Sequence, residues 1–531
     1  MSLFLSTWRS GRLAAALLLC GLGPIAPASL AADDSRQDVA ALIPALAPVD
    51  LDVPLQKVAA ETFGGKLRRL AAGAAIANSV KEPPLRPAPL WRPNQAYNPG
   101  EVVQNGTGLY MCFSAGTSSS SGGPGGTGYA PIADGSVGWV YFGPPIVTSP
   151  DPEAPQLSTT GLESTLQGFG LTRTYNPVAT PQSFTFGSGI PTPAPPPMAT
   201  TQLSFPAVHS KTSMTGGNTG FNNGTEGFHW SASFVTSAPV VAIGTSHSAV
   251  AMITIDGRRL FPGGQTGPAG YNPIWYILDF RQAGGRKERN ITLEAYGNIR
   301  FAGVRVDAGS SVWAAPTTDR IRVAFFGSSI EAGNRYFPTM GNLSWPVQTS
   351  KLLGWSDPWN LGLGGTGYIA NQNGVSFSYI DHIDDAIRIA PDIVVIGGAI
   401  NDASIASPAA ITAAANSLLQ TLRARLPNAL LIATGTFPGT SGPSTARINS
   451  EVAVKTAVQQ LHDPRIFFVP VISAPCGTLI AGTGTIEVPN GTGNADFYIS
   501  GDRTHPSQQG LDYVAAQFAA GIQSVVISAL P

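Results

Sequence analysis

Over roughly the last two hundred residues, short apolar runs alternate with stretches in which apolar side chains return every three or four positions. Ile321–Phe326, Trp359–Leu363, Ile393–Ile396, Ala429–Ala433 and Ile466–Val469 read as buried strands. Between them Ile411, Ala415, Leu418, Leu422 and Leu426 share one helical face, opened by Ser407-Pro408 as cap and first-turn proline. A last helix is predicted from Ser507, with Leu511, Val514, Phe518 and Ile522 on one side. Such alternation predicts an α/β domain over 319–531 whose parallel sheet is covered on both faces.

Upstream the period changes. Val240–Ile243, Ala251–Ile255, Trp275–Leu278, Asn290–Glu294 and Phe301–Val306 are strand-like, and Asp256-Gly257 signals a tight hairpin turn. Strands at this spacing predict a β-sandwich over 203–318. Residues 145–202, rich in Pro, Thr and Ser, read as linker or extended chain with short pairing segments. A compact unit over 90–144 carries Trp91, Tyr110 and Trp139 among short β runs and Gly turns. Those aromatics are either the core of a small module or exposed faces on which sugar rings would stack. Residues 32–89 are Ala/Leu-rich, a helical stalk or cap ending in a Pro-marked boundary, with its better helical pattern around Leu55–Leu70.

Composition narrows the function classes. Only 12% of the 531 residues are charged and the net charge is −1, so there is no electrostatic footprint for nucleic acid. The 61 Gly and 45 Pro residues favour loop-rich β structure over helical bundles. Residues 1–31 have the form of an export signal: Arg9 and Arg12, the apolar run Leu13–Leu22, and the small-residue site Ser29-Leu-Ala31. They imply a secreted or periplasmic protein, with an uncleaved anchor as the alternative. Past the signal, Cys112 and Cys476 are too few for a disulfide framework or a metal cluster and read as packed thiols. His209, His229 and His247 lack metal-ligand spacing and read as surface or hydrogen-bonded side chains. No phosphate loop or dinucleotide fingerprint appears, and neither cofactor nor metal is expected.

Four short blocks carry the chemistry: Gly327-Ser-Ser-Ile330, Asn360-Leu-Gly-Leu-Gly-Gly365, Gly398-Ala-Ile-Asn-Asp402 and Asp502-Arg-Thr-His505. Each follows a predicted strand or precedes the last helix, where ligands of open α/β sheets gather. A serine hydroxyl needs a base within reach to act as a nucleophile. Ser329 would attack an acyl carbon, His505 would take and return its proton, and Asp502 would orient the ring. The N–H groups of Ser329 and Gly365 and the Asn401 amide would hold the oxyanion. Ser328 is the competing nucleophile; register with Ile330 favours Ser329. Trp345 and Tyr368 are candidate walls of an acyl or sugar pocket, or plain core.

These blocks resemble the SGNH (GDSL) hydrolase superfamily over about residues 320–525. The resemblance implies a flavodoxin-like three-layer domain, Ser329 as nucleophile, Gly365 and Asn401 as oxyanion donors, and Asp502 with His505 completing a triad. Two positions depart from the pattern: Ser328 replaces the usual aspartate, and Ala399 the usual glycine of the third block. A β-sandwich just before such a domain is similar to family-two carbohydrate esterases, and the 90–144 unit resembles chitin-type carbohydrate-binding modules. An exported esterase removing O-acetyl groups from a polysaccharide is therefore expected; an acyltransferase of the same type and a non-catalytic sugar-binding surface protein are the alternatives.

Overall fold

A computed structural model describes residues 61–79, 83–128, 130–193, 201–204, 229–246, 250–296, 299–332, 343–371, 378–439, 443–473 and 479–531. The export signal, Cys476, His209 and His247 lie outside the described residues.

The C-terminal domain is a parallel sheet of five strands. They are β1 (Arg322–Phe326), β2 (Asp357–Asn360), β3 (Ile393–Ile396), β4 (Leu430–Thr434) and β5 (Ile466–Val469), in the order β2-β1-β3-β4-β5. Alternate residues of each strand face opposite layers. Val323, Phe325, Ile393 and Val395 join one core; Ala324, Phe326, Val394 and Ile396 join the other. Both cores are closed by helices, which is why these strands are apolar on both sides. In this order the second strand is added on one side of β1 and all later strands on the other, so the winding reverses between β1 and β3, the point at whose carboxyl ends open α/β sheets place their ligand crevice.

The helix α1 (Phe63–Ser79) is neither stalk nor cap. Leu67 is fully buried in the hydrophobic core around Val323 and Phe325, and Arg69 pairs with both Glu61 and Asp319. It is an outer helix of the C-terminal domain, although 250 residues separate Arg69 from Asp319. Helices α2 (Trp345–Leu352), α3 (Pro408–Arg425), α4 (Thr445–Leu461) and α5 (Gln508–Ile522) complete the layers. Ser407 and Ser507 cap α3 and α5, accepting from Ala410 N and Gly510 N. Among the described residues, the stretch Gln508–Ile527 alone is long and apolar enough to cross a membrane, and half of it is buried in this core.

Two antiparallel sheets, of six and seven strands, precede this domain and share one core containing Trp230, Phe234, Ile243, Tyr276, Leu293 and Phe301. Asp256 and Gly257 both take positive φ in the two-residue turn between Ile255 and Arg258. Of the two readings of 145–202, the second holds where residues are described: Gln156–Thr160, Arg173–Tyr175 and Thr185–Gly187 are short segments that pair with strands of the two sheets, so these parts are not free linker.

The unit around 90–143 has a four-stranded antiparallel sheet. Trp139 is 0% and Tyr110 4% exposed. Trp139 Nε1 donates to Asp134, as does the half-buried Trp91, and Tyr110 Oη donates to the Gly126 carbonyl. Trp139 and Tyr110 are thus the core of the unit and offer no face to a sugar; a sheet this small needs its largest apolar residues inside. The other side of the unit, through Val102, Met111 and Val140, packs on Val250 and Met252 and on Leu343 and Ile486 of the C-terminal domain. Gln509, at the start of α5, donates to the Tyr141 carbonyl at 2.6 Å. Cys112 is buried here, and burial pushes its thiol up to about 12.

His229 is 3% exposed, which removes the surface reading and leaves the hydrogen-bonded one to Nε2, since Nδ1 has no partner; burial lowers the ring to about 4.

Candidate active site

The turn after β1 separates the two serines. Ser328 is 1% exposed and points inward, where its N–H and hydroxyl both face the Glu331 carboxylate, at 2.6 and 3.2 Å. Ser329 is half-buried and points outward, its Oγ 2.8 Å from His505 Nε2. On the other side of the ring, His505 Nδ1 donates to Asp502 Oδ2.

Local geometry explains how four residues, Asp502 to His505, turn back on themselves. Arg503 adopts a left-handed φ of 65°, and Asp502 Oδ1 accepts the N–H groups of Thr504 and His505 at 3.1 and 3.0 Å. Ser500 donates to the His505 carbonyl at 2.6 Å. Burial works to raise the Asp502 carboxyl, but the His505 ring and the two backbone donors outweigh it and hold it below the ordinary range. Asp502 therefore keeps its charge in mildly acidic solution. The side chains of His505 and Asp502 are 14% and 12% exposed, shielded yet open to the crevice.

The second block lies against the nucleophile turn. Leu363 N donates to the Gly327 carbonyl at 2.9 Å, and Thr366 Oγ1 reaches the same carbonyl. Gly365 has φ 77°, a left-handed conformation that glycine takes without strain. The third block closes the loop from the opposite side. The Asn401 amide donates to the Thr366 carbonyl at 2.7 Å, which leaves its second N–H for another acceptor. Asp402 accepts the N–H groups of Tyr368, Ile369 and Ala370, so it ties down the loop beyond Gly365. Ala399 is fully buried in the core.

Among the described residues the Ser329 N–H has no protein acceptor. The arrangement thus aligns a hydroxyl, a base and an orienting carboxylate, with the loop that carries Gly365 tied on one side to the nucleophile turn and on the other to Asn401. Such a set can carry acyl transfer through a tetrahedral intermediate.

Trp345 and Tyr368 do not line this crevice. Trp345 is fully buried, donates to the Ile330 carbonyl and stacks on Phe518 at 4.5 Å. Tyr368 is 4% exposed and packs edge-on against Tyr379. Two residues escaped the sequence reading. Asn360 bridges the first two blocks, donating to the Glu331 carbonyl at 2.6 Å and accepting from Gly362 N. Glu331 itself is 4% exposed; its only signal was a charge amid small and apolar neighbours.

The C-terminal domain is thus an α/β fold on a parallel sheet, with Ser329, His505 and Asp502 hydrogen-bonded in series. Residues 325–512 match the model of the GDSL-like Lipase/Acylhydrolase family, so the C-terminal domain resembles that family over this stretch. No curated protein matches the chain. Similar solved structures include a family two carbohydrate esterase from Clostridium thermocellum in complex with cellohexaose. It is 16% identical, covering 55% of this chain and 91% of its own, at a TM-score of 0.42. A family two carbohydrate esterase from Cellvibrio japonicus is 14% identical over 71% of this chain and 100% of its own, at 0.40. The salicylyl-acyltransferase SsfX3 from a tetracycline biosynthetic pathway is 13% identical over 65% and 95%, at 0.44.

Proposed function

We propose that this chain is an exported serine esterase that removes acyl groups, O-acetyl first among them, from a polysaccharide. The observation that carries the chemistry is the 2.8 Å approach of Ser329 Oγ to His505 Nε2, with Asp502 on the opposite ring nitrogen. As Ser329 attacks the ester carbonyl, His505 takes its proton and Asp502 stabilises the imidazolium. The oxyanion is held by the Ser329 N–H, Gly365 N–H and Asn401 amide. Collapse expels the sugar alcohol, which takes the proton from His505. Water then repeats the sequence on the acyl-enzyme and releases the acid.

The polysaccharide rests on the order of domains: two antiparallel sheets with a common core directly before a GDSL-like domain. Export rests on residues 1–31. The decisive experiment is acetate release from acetylated xylan, glucomannan and chitin-derived oligomers by wild type and by Ser329→Ala. Release by wild type alone supports the reading; equal release by the variant ends it. Product analysis with an unacetylated sugar acceptor present separates hydrolysis from transfer.

A further inference from the structure

The proposed chemistry leaves one buried ionisable group beside the nucleophile without a task. Glu331 fills the base of the crevice between the ends of β1 and β3. Two glycines make its place. A Cβ on Gly327, after β1, would lie 2.2 Å from Glu331 Oε2, and one on Gly397, after β3, would lie 2.7 Å from its carboxyl carbon. Oε2 takes both donors of Ser328, the N–H at 2.6 Å and the hydroxyl at 3.2 Å. Ser328 Oγ in turn accepts from Ile330 N at 3.3 Å. The Glu331 carbonyl accepts from Asn360, which also holds Gly362 N and so joins this turn to the oxyanion loop. Burial pushes the carboxyl up to about 7, against the pull of the Ser328 N–H. The groups that oppose that burial are the Ser328 N–H, the Ser328 hydroxyl and the backbone N–H of Glu331 itself, all within the turn that carries Ser329.

We propose that Glu331 is a positioning residue for the nucleophile: by engaging both donors of Ser328 in a space cleared by Gly327 and Gly397, it turns Ser328 inward and aims the Ser329 hydroxyl at His505 while leaving the Ser329 N–H free for the oxyanion. The inference rests on the reading of Ser329 as nucleophile. It makes reach, rather than charge, the property that matters. A carboxylate one methylene shorter cannot span to Ser328, whereas a carboxamide of the same length still accepts from it.

The test pairs Glu331→Asp with Glu331→Gln, each checked for a native melting transition. Steady-state kinetics on p-nitrophenyl acetate are read beside the rate of covalent labelling by a fluorophosphonate, with the labelled residue identified by peptide mapping. Glu331→Asp is expected to lose about 10-fold or more in kcat at unchanged KM, with labelling slowed in parallel. Glu331→Gln is expected to stay within about 3-fold of wild type. Wild-type kcat and labelling in Glu331→Asp would overturn the proposal, as would a change confined to KM. Failure of wild type itself to label at Ser329 would overturn the reading beneath it, which is a different result from either.

Discussion

The Ser329 hydroxyl and the His505 ring meet at 2.8 Å across 176 residues of chain. The parallel sheet brings them together, because Ser329 follows β1 while His505 stands just before α5, whose side chains Val514, Phe518 and Ile522 pack on the same core as Val323 and Phe325. Neither partner is held by a neighbour in sequence alone. Removing the hydroxyl is therefore expected to leave the fold intact. Ser329→Ala should lower kcat on p-nitrophenyl acetate by about 10³-fold or more, and Asp502→Asn by about 10³–10⁴-fold through loss of ring orientation. Circular dichroism spectra matching wild type, with that activity retained, would remove Ser329 from the chemistry.

Asn401 has one amide hydrogen on the Thr366 carbonyl at 2.7 Å and one to spare. An oxyanion donor contributes mainly in the transition state, so its loss appears in kcat. Asn401→Ala is expected to reduce kcat by about 10²–10³-fold with KM little altered. Steady-state kinetics on a small aryl ester measure this free of any polysaccharide binding. A rise in KM alone would assign Asn401 to ground-state binding instead.

Trp139, fully buried with its Nε1 on Asp134, makes an opposite prediction to that of a surface sugar platform. Trp139→Ala should destabilise the unit around 90–143 by about 3–5 kcal/mol, through lost burial and the cavity left behind. Denaturant unfolding would measure it. An unchanged midpoint, with weakened retention on an insoluble glycan, would return Trp139 to the surface.

The strands and helices of the C-terminal domain were legible because burial on both faces writes continuous apolar runs, and capped amphipathic helices write a period. Ser407-Pro408 and Ser507 marked helix starts where the structure has them. The four blocks were legible for a related reason: each needs a small or polar residue where a buried strand ends. Burial of a single residue within a small module was not. Tyr110 and Trp139 carry the same letters whether they face sugar or core, and only the shortage of other large apolar residues decides it. The helix α1 was misread because its partner surface, around Asp319 and Val323, lies 250 residues away. Glu331 was invisible for a similar reason. A glutamate in a turn is ordinarily solvated, and its burial follows from Gly397 just past the end of a neighbouring strand, which no local pattern connects to it.

That burial should also be measurable as a dependence of stability on pH. A glutamate has an ordinary value of 4.5, and burial pushes Glu331 up to about 7 in the folded chain. Below pH 4.5 both folded and unfolded chains hold the proton, and ionisation does not distinguish them. Between 4.5 and 7 the unfolded chain releases its proton while the folded chain keeps it, so stability falls as pH rises. Above 7 the fall is complete, and the gap between the two values converts to ~3 kcal/mol. Tyr368 and Tyr379, the phenols facing Glu331, are raised by their own burial and stay neutral through this window. Glu331→Gln has no proton to lose. Its unfolding free energy relative to wild type is expected to grow by about that ~3 kcal/mol between pH 4.5 and 8. Taking the difference between the two proteins cancels every other titrating group, His229 included. Parallel stability curves for wild type and variant across that range would mean the carboxyl ionises in the folded chain much as it does in water, and the buried seat beneath Ser328 would have to be abandoned.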